Sequence, residues 1–171
     1  MDKDFFDKNE KNGFKYLKAF NDEVHLFPEV IKTPEKHPYD ASATTNSKTF
    51  NIEIKIRNQV LLEDGELKVS GRSDSGKEYI ENTLIIESHK MASQLLYASF
   101  YGYTPIYVNF LLDGTVIIFN LHNLKTFPER RDNVKTYSKG YQRKEEEMKY
   151  YLDISDACIY KNNVLIKRCN G

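Results

Sequence analysis

The chain lacks net charge: 25 Lys and Arg balance 25 Asp and Glu across 171 residues. A neutral chain is poorly suited to coating nucleic acid, where affinity rests on many cations meeting phosphates. A locally basic groove on an otherwise acidic body stays compatible with the balance. Long apolar runs are also missing. None approaches the ~20 residues a membrane helix needs, and Met1-Asp2-Lys3-Asp4 is too charged to open a signal peptide. No membrane partner and a cytoplasmic location are therefore expected.

Metal-finger spacing is absent as well. The four histidines, at 25, 37, 89 and 122, form neither a finger nor an HExxH pattern, which argues against a structural zinc site. Cys158 and Cys169 are the two cysteines and have no CxxC spacing. Reduced thiols are expected, a bridge across a terminal hairpin being the alternative. Internal repeats, low-complexity tracts and interdomain linkers are missing too.

What is present is 40% apolar residues with 12 Tyr and 10 Phe, enough for a real core in one domain over residues 1–171. From about Asp4 to Val24 an imperfect apolar stripe predicts a helix, weakened at Gly13 and containing Glu10. Three prolines between Phe27 and Pro38 predict extended or loop structure. Asp64-Gly65 between two short apolar runs predicts a hairpin, and Gly71 to Gly76 a polar loop.

Thr83 to Glu87 reads as a strand. A helix follows, with Ser88 as its cap, Met91, Leu95, Leu96 and Ser99 on one face and Gly102 as its stop. Pro105 to Leu112 and Thr115 to Leu121, turned at Asp113-Gly114, are nearly continuous apolar runs and predict strands covered on both faces. Residues 122–171 read as a basic segment, a helix and a terminal hairpin packed on the core. Lys125, Arg130 and Arg131 belong to the most cationic stretch, which is a candidate DNA contact or simply a solvated loop. Glu145 to Ile154 reads as a helix packed through Met148, Tyr151 and Leu152, and Asn162-Asn163 turns the last hairpin. This order of elements predicts an α/β single domain: a central mixed β-sheet flanked by helices.

One stretch carries the chemistry. From Phe50 to Arg57 apolar and polar residues alternate strictly, a period of two that marks a strand. Glu53 and Lys55 therefore leave from the same face, roughly 6.5–7 Å apart along the strand. Thr44 to Lys48 is a polar cluster suited to a turn. A hairpin centred on Asn46-Ser47 sets Asp40 opposite Glu53, and cross-strand partners share a face.

Two carboxylates on one sheet face suit a hard cation such as Mg²⁺ (or Mn²⁺), with the Ile54 carbonyl as a third oxygen ligand. Such an ion activates water and stabilises charge on phosphorus, and Lys55 would position or deprotonate the water. An acid followed two residues later by Lys occurs three times, at 53–55, 66–68 and 147–149. Only the first lies in a long alternating strand with an Asp at hairpin distance before it, since the third falls in the expected helix. An ordinary solvated strand face bearing opposite charges is the alternative.

Pro38-Tyr39-Asp40, twelve residues, then Glu53-Ile54-Lys55 resembles the signature of the PD-(D/E)XK nuclease superfamily, with Tyr39 interrupting its Pro-Asp pair. The resemblance covers roughly residues 10 to 121. It implies a restriction-endonuclease-like fold and a Mg²⁺-dependent DNA nuclease, cytoplasmic, with DNA as partner and compatible with a homodimer. It also raises Glu10 as a helix glutamate of the active site, and it makes Lys90, in Ile86-Glu87-Ser88-His89-Lys90, a phosphate contact. Two other readings stand beside it: a catalytically inactive relative that binds nucleic acid or protein, and an assembly protein using its aromatic surface.

Overall fold

The computed structural model describes residues 12–69, 82–125, 129–138 and 141–169, without the side chains of 69, 129–138 and 141–147. Glu10, the first turns of the expected N-terminal helix and the polar loop from Gly71 to Gly76 lie outside the described residues.

Two α-helices are described, α1 (Gly13–Val24) and α2 (Ser88–Tyr101), with a short 3-10 turn at Ile154–Asp156. The strands are β1 (Val30–Lys32), β2 (Ala41–Thr44), β3 (Thr49–Arg57), β4 (Gln59–Leu61), β5 (Leu67–Val69), β6 (Thr83–Glu87), β7 (Thr104–Leu111), β8 (Thr115–Asn120), β9 (Glu129–Ser138), β10 (Tyr141–Asp153), β11 (Cys158–Lys161) and β12 (Val164–Lys167). Seven of them form the central sheet in the order β1-β2-β3-β7-β8-β11-β12. A smaller sheet has the order β6-β10-β9, and β4 pairs with β5 as a hairpin. The central sheet is mixed, because β3 and β7 run parallel while its other neighbours are antiparallel. A parallel pair needs a crossover, which here includes β6 and α2.

Two cores lie on opposite faces of the central sheet. On one, Leu17 and Phe20 of α1 pack against Ile52, Ile54, Val108, Phe110 and Ile118. On the other, Met91 of α2 joins Leu84 and Ile86 of β6, Leu152 of β10, and Tyr107, Ile117 and Phe119 of the sheet. Strands β7 and β8 are thus buried on both faces, which explains their continuous apolar runs.

Several expectations need correction. The span from Glu145 to Ile154 is not a helix: it lies mostly in β10, paired with β6 on one side and β9 on the other. Glu, Met and Lys favour helices weakly, and two strand partners outweigh that preference. The basic segment before it is the long β9–β10 hairpin rather than a loop. Ser88 is the first residue of α2, and Glu87 takes the cap position in extended conformation. The buried face of α2 is Met91, Gln94 and Ala98, whereas Leu96 is exposed. Gly102 ends the helix in the left-handed region, as its lack of a Cβ allows. Cys158 and Cys169 are not free thiols but a disulfide across the end of the β11–β12 hairpin. Their spacing alone could not show that the chain returns on itself there.

The strand that carries Glu53 is held from behind by a close helix contact. A Cβ added at Gly13 would stand 3.1 Å from the Ile54 Cγ2. Gly13→Val is therefore expected to destabilise the fold by about 1–3 kcal/mol through overpacking. Urea denaturation checks this; a midpoint equal to wild type would show that α1 does not need its close approach to β3.

Candidate metal centre

The hairpin register is the one the turn residues predicted. Ala41 faces Ile52 and Ser42 faces Asn51, so Asp40, one step beyond β2, comes opposite Glu53. The Asp40 amide donates to the Ile52 carbonyl at 3.0 Å, which continues the ladder. Its side chain then takes over where the strand stops. The Ile54 amide donates to the Asp40 Oδ2 at 2.8 Å. A strand residue's N–H and C=O leave from the same edge, so the Ile54 carbonyl is directed to the edge that Asp40 occupies. Asp40 is exposed, and its charge is felt by Glu53.

Glu53 is not on a solvated face. It is 3% exposed in a strand buried on both sides at its centre. Over it lie the start of α2 and the end of β6. The Lys90 ammonium, one turn into α2, pairs with the Glu53 Oε1. Lys55, on the same face of β3, reaches Glu87 Oε1 at 3.5 Å. Arg57 continues that face, its guanidinium donating to Asn109 Oδ1 at 3.0 Å, to the Ile85 carbonyl and to the Tyr107 hydroxyl. Tyr107 itself donates to the Ile85 carbonyl at 2.8 Å. Its burial pushes the hydroxyl up to about 12, so it remains protonated.

The electrostatics follow from this crowding. Burial pushes the Glu53 carboxyl up to about 7, and the Asp40 charge adds to the rise while Lys90 and Lys55 oppose it. Burial works against the Lys90 ammonium, but the Glu53 carboxylate more than compensates and holds its pKa above the ordinary value. For Glu87 the desolvation is outweighed by Lys55 and by its own backbone amide, so its carboxyl lies below the usual range.

A divalent cation fits this donor set. Two carboxylates and a carbonyl are the hard oxygen ligands that Mg²⁺ and Mn²⁺ prefer. The elevated Glu53 marks a buried acid that a further positive charge would relieve. Among the described residues no group of three or more His, Cys, Asp or Glu is placed to hold a metal, and Mg²⁺ ordinarily keeps several waters beside one or two carboxylates.

Of the residues singled out from sequence, Asp40, Glu53, Ile54, Lys55 and Lys90 come together here. Lys125 does not: its amide donates to the Asp156 Oδ2 at 2.9 Å, and its charge bears on Lys167. Arg130 and Arg131 lie on β9, their side chains outside the described residues. Sequence reasoning missed Glu87 and Arg57 as members of the site. The signal for Arg57 was present, two residues beyond Lys55 on one strand face. Glu87 has a weaker signal, the last residue of a strand that runs straight into a helix. The triplet at 147–149 also needs revision, because it lies on β10 and Glu147 faces Asp132 across the hairpin. What separates 53–55 is its place inside the central sheet with Lys90 and Glu87 converging on it.

Comparison with known proteins comes from structure alone. No protein-family model and no curated protein matches the sequence. Several solved structures resemble the fold, and one of them serves as an example. It is that of Hjc, a Holliday junction resolvase from the archaeal hyperthermophile Archaeoglobus fulgidus, with 14% identity and a TM-score of 0.46, covering 83% of this chain and 84% of the other.

The metal-free protein should show the cost of ionising Glu53. Its folded pKa, about 7, lies above the 4.5 of a free glutamate, so its contribution to stability is complete below pH 4.5 and is lost as pH rises towards and through 7. The loss is on the order of 3 kcal/mol at most. Urea midpoints in EDTA should fall more steeply across this window for wild type than for Glu53→Gln. Parallel slopes for the two proteins would contradict the elevated pKa.

Proposed function

We propose that the chain is a divalent-metal-dependent nuclease of the PD-(D/E)XK type that hydrolyses phosphodiester bonds of DNA. The observation that carries the reading is the Asp40 carboxylate bound to the amide of Ile54 beside a buried Glu53, with Lys55 on the same strand face. Asp40, Glu53 and the Ile54 carbonyl would hold Mg²⁺ or Mn²⁺. When bound, such an ion lowers the pKa of a coordinated water and stabilises charge that develops on phosphorus.

The chain's own residues do the rest. Lys55 orients the attacking water and neutralises charge on the phosphate. Glu87 fixes that ammonium from the start of α2, so the side chain is positioned by two elements rather than one. Lys90 neutralises Glu53 in the absence of metal and offers its ammonium to a phosphate once the carboxylate is shared with a cation. Arg57 holds β3, β6 and β7 together behind the site through Ile85, Tyr107 and Asn109.

The Lys90–Glu53 pair also favours a second reading, a catalytically inactive relative in which the ammonium takes the cation's place permanently. Calorimetric titration with Mn²⁺ separates the two. The nuclease reading expects saturable binding that weakens as pH falls through 7, where Glu53 takes up its proton; the inactive reading expects no heat.

Cleavage of a supercoiled plasmid in Mg²⁺ or Mn²⁺ is the direct test. Asp40→Ala and Lys55→Ala should each lower the rate by about 10²-fold or more, the scale of removing a positioned proton-transfer or electrostatic group. Asp132→Ala, on β9 opposite Glu147, should leave it unchanged. Full activity in both the Asp40 and Lys55 variants, or loss confined to Asp132→Ala, would move the site elsewhere.

A further inference from the structure

Beside the Asp40 carboxylate the surface changes character. Tyr39, its chain neighbour, is 6% exposed and begins a continuous run of rings. Its ring centroid lies 4.3 Å from that of His37 and 5.3 Å from that of Tyr97 on α2. Tyr97 lies 4.4 Å from Tyr101, and Tyr101 is stacked on Tyr103 at 5.6 Å with 28° between their planes. Phe100 closes the run 4.8 Å from Tyr101. The far end is open to solvent, with Tyr101 51% and Phe100 79% exposed.

Helix spacing ties this run to the metal centre. Lys90, Tyr97 and Tyr101 fall at i, i+7 and i+11, on one stripe of α2. The stripe starts at the ammonium that pairs with Glu53 and ends at the exposed rings. At 1.5 Å per residue it is about 16 Å long, room for about four or five bases at 3.4 Å each. An apolar surface this exposed needs an occupant of matching chemistry. The occupant must bring flat apolar faces to the rings and, once a cation shares the Glu53 carboxylate, a negative charge to Lys90; unpaired nucleobases on their phosphodiester backbone bring both. A duplex keeps its base faces stacked inside and has none to offer the rings.

We propose that the surface of Phe100, Tyr101, Tyr97 and His37, backed by the buried Tyr39, is a stacking platform for the unpaired bases of a DNA strand leading to Asp40 and Glu53, so that the substrate is DNA with a single-stranded segment. The inference rests on the nuclease reading for its destination, but the platform itself can be tested without cleavage. Each base stacked on an aromatic ring contributes about 1–3 kcal/mol, a factor of roughly 5 to 150 in affinity.

The chain has no Trp and 12 Tyr, so its intrinsic emission reports on tyrosine. In EDTA, an oligothymidylate of about twenty nucleotides should quench that emission and bind more tightly than a hairpin duplex of equal length. Phe100→Ala and Tyr101→Ala should each weaken oligothymidylate binding at least 5-fold and change duplex binding less than 2-fold. Val164→Ala, an exposed apolar residue on the edge strand β12, should change neither. Equal losses on duplex and single strand, or no loss in the Phe100/Tyr101 double variant, would overturn the platform. The two readings fail separately. Ring-dependent single-strand binding without cleavage in Mn²⁺ sinks the nuclease and leaves the platform. Cleavage with single-strand binding indifferent to the rings does the reverse.

Discussion

A carboxylate placed in the middle of a covered sheet loses its water, and the cost of that loss, on the order of several kcal/mol for an isolated ion, shapes everything around Glu53. The cost is offset by drawing in cations from two directions. Lys90 comes from the helix above and Lys55 from the next position on the same face. Each cation brings its own requirement. Lys55 finds Glu87, and Arg57 binds the β6 carbonyl of Ile85 and the hydroxyl of Tyr107. Alternating charges thus bind β3, β6, β7 and the first turn of α2 into one unit.

Much of this was legible in the residues because it depends on local rules. The strict alternation of Phe50 to Arg57 and the polar turn at Asn46-Ser47 together determine the register of the hairpin. The long apolar runs of β7 and β8, their Asp-Gly turn and the Asn-Asn turn before β12 were equally readable, since each follows from side-chain burial or from turn chemistry. The central mixed sheet with a helix on either face is the α/β arrangement that this order of elements predicted.

What escaped depends on partners that the sequence does not name. Glu145 to Ile154 has the composition of a helix, yet Tyr151 and Leu152 are buried through pairing with β6, some 70 residues earlier. The burial of Glu53 escaped for the same reason, because polar alternation reads as a wet face until a helix is laid across it. For Cys158 and Cys169 the bridge across the terminal hairpin was the lesser of two expectations, because spacing cannot show how close the hairpin brings them. In the candidate site, the acids of the hairpin could be paired on paper. Glu87 joined them only once the crossover had been placed.

The crossover has a kinetic consequence. The ion pairs at the site link residues 32 and 37 positions apart, and both wait on the parallel pairing of β3 with β7. Antiparallel hairpins close early because their loops are short, whereas a parallel pair must first spend the entropy of a long loop. The β2–β3 hairpin can therefore form with its two acids side by side and only Lys55 of its own strand, before Lys90 arrives to pair with Glu53. Until β7 docks and α2 settles, that hairpin repels itself. Closing that long loop is thus also the step that makes the acidic pair tolerable.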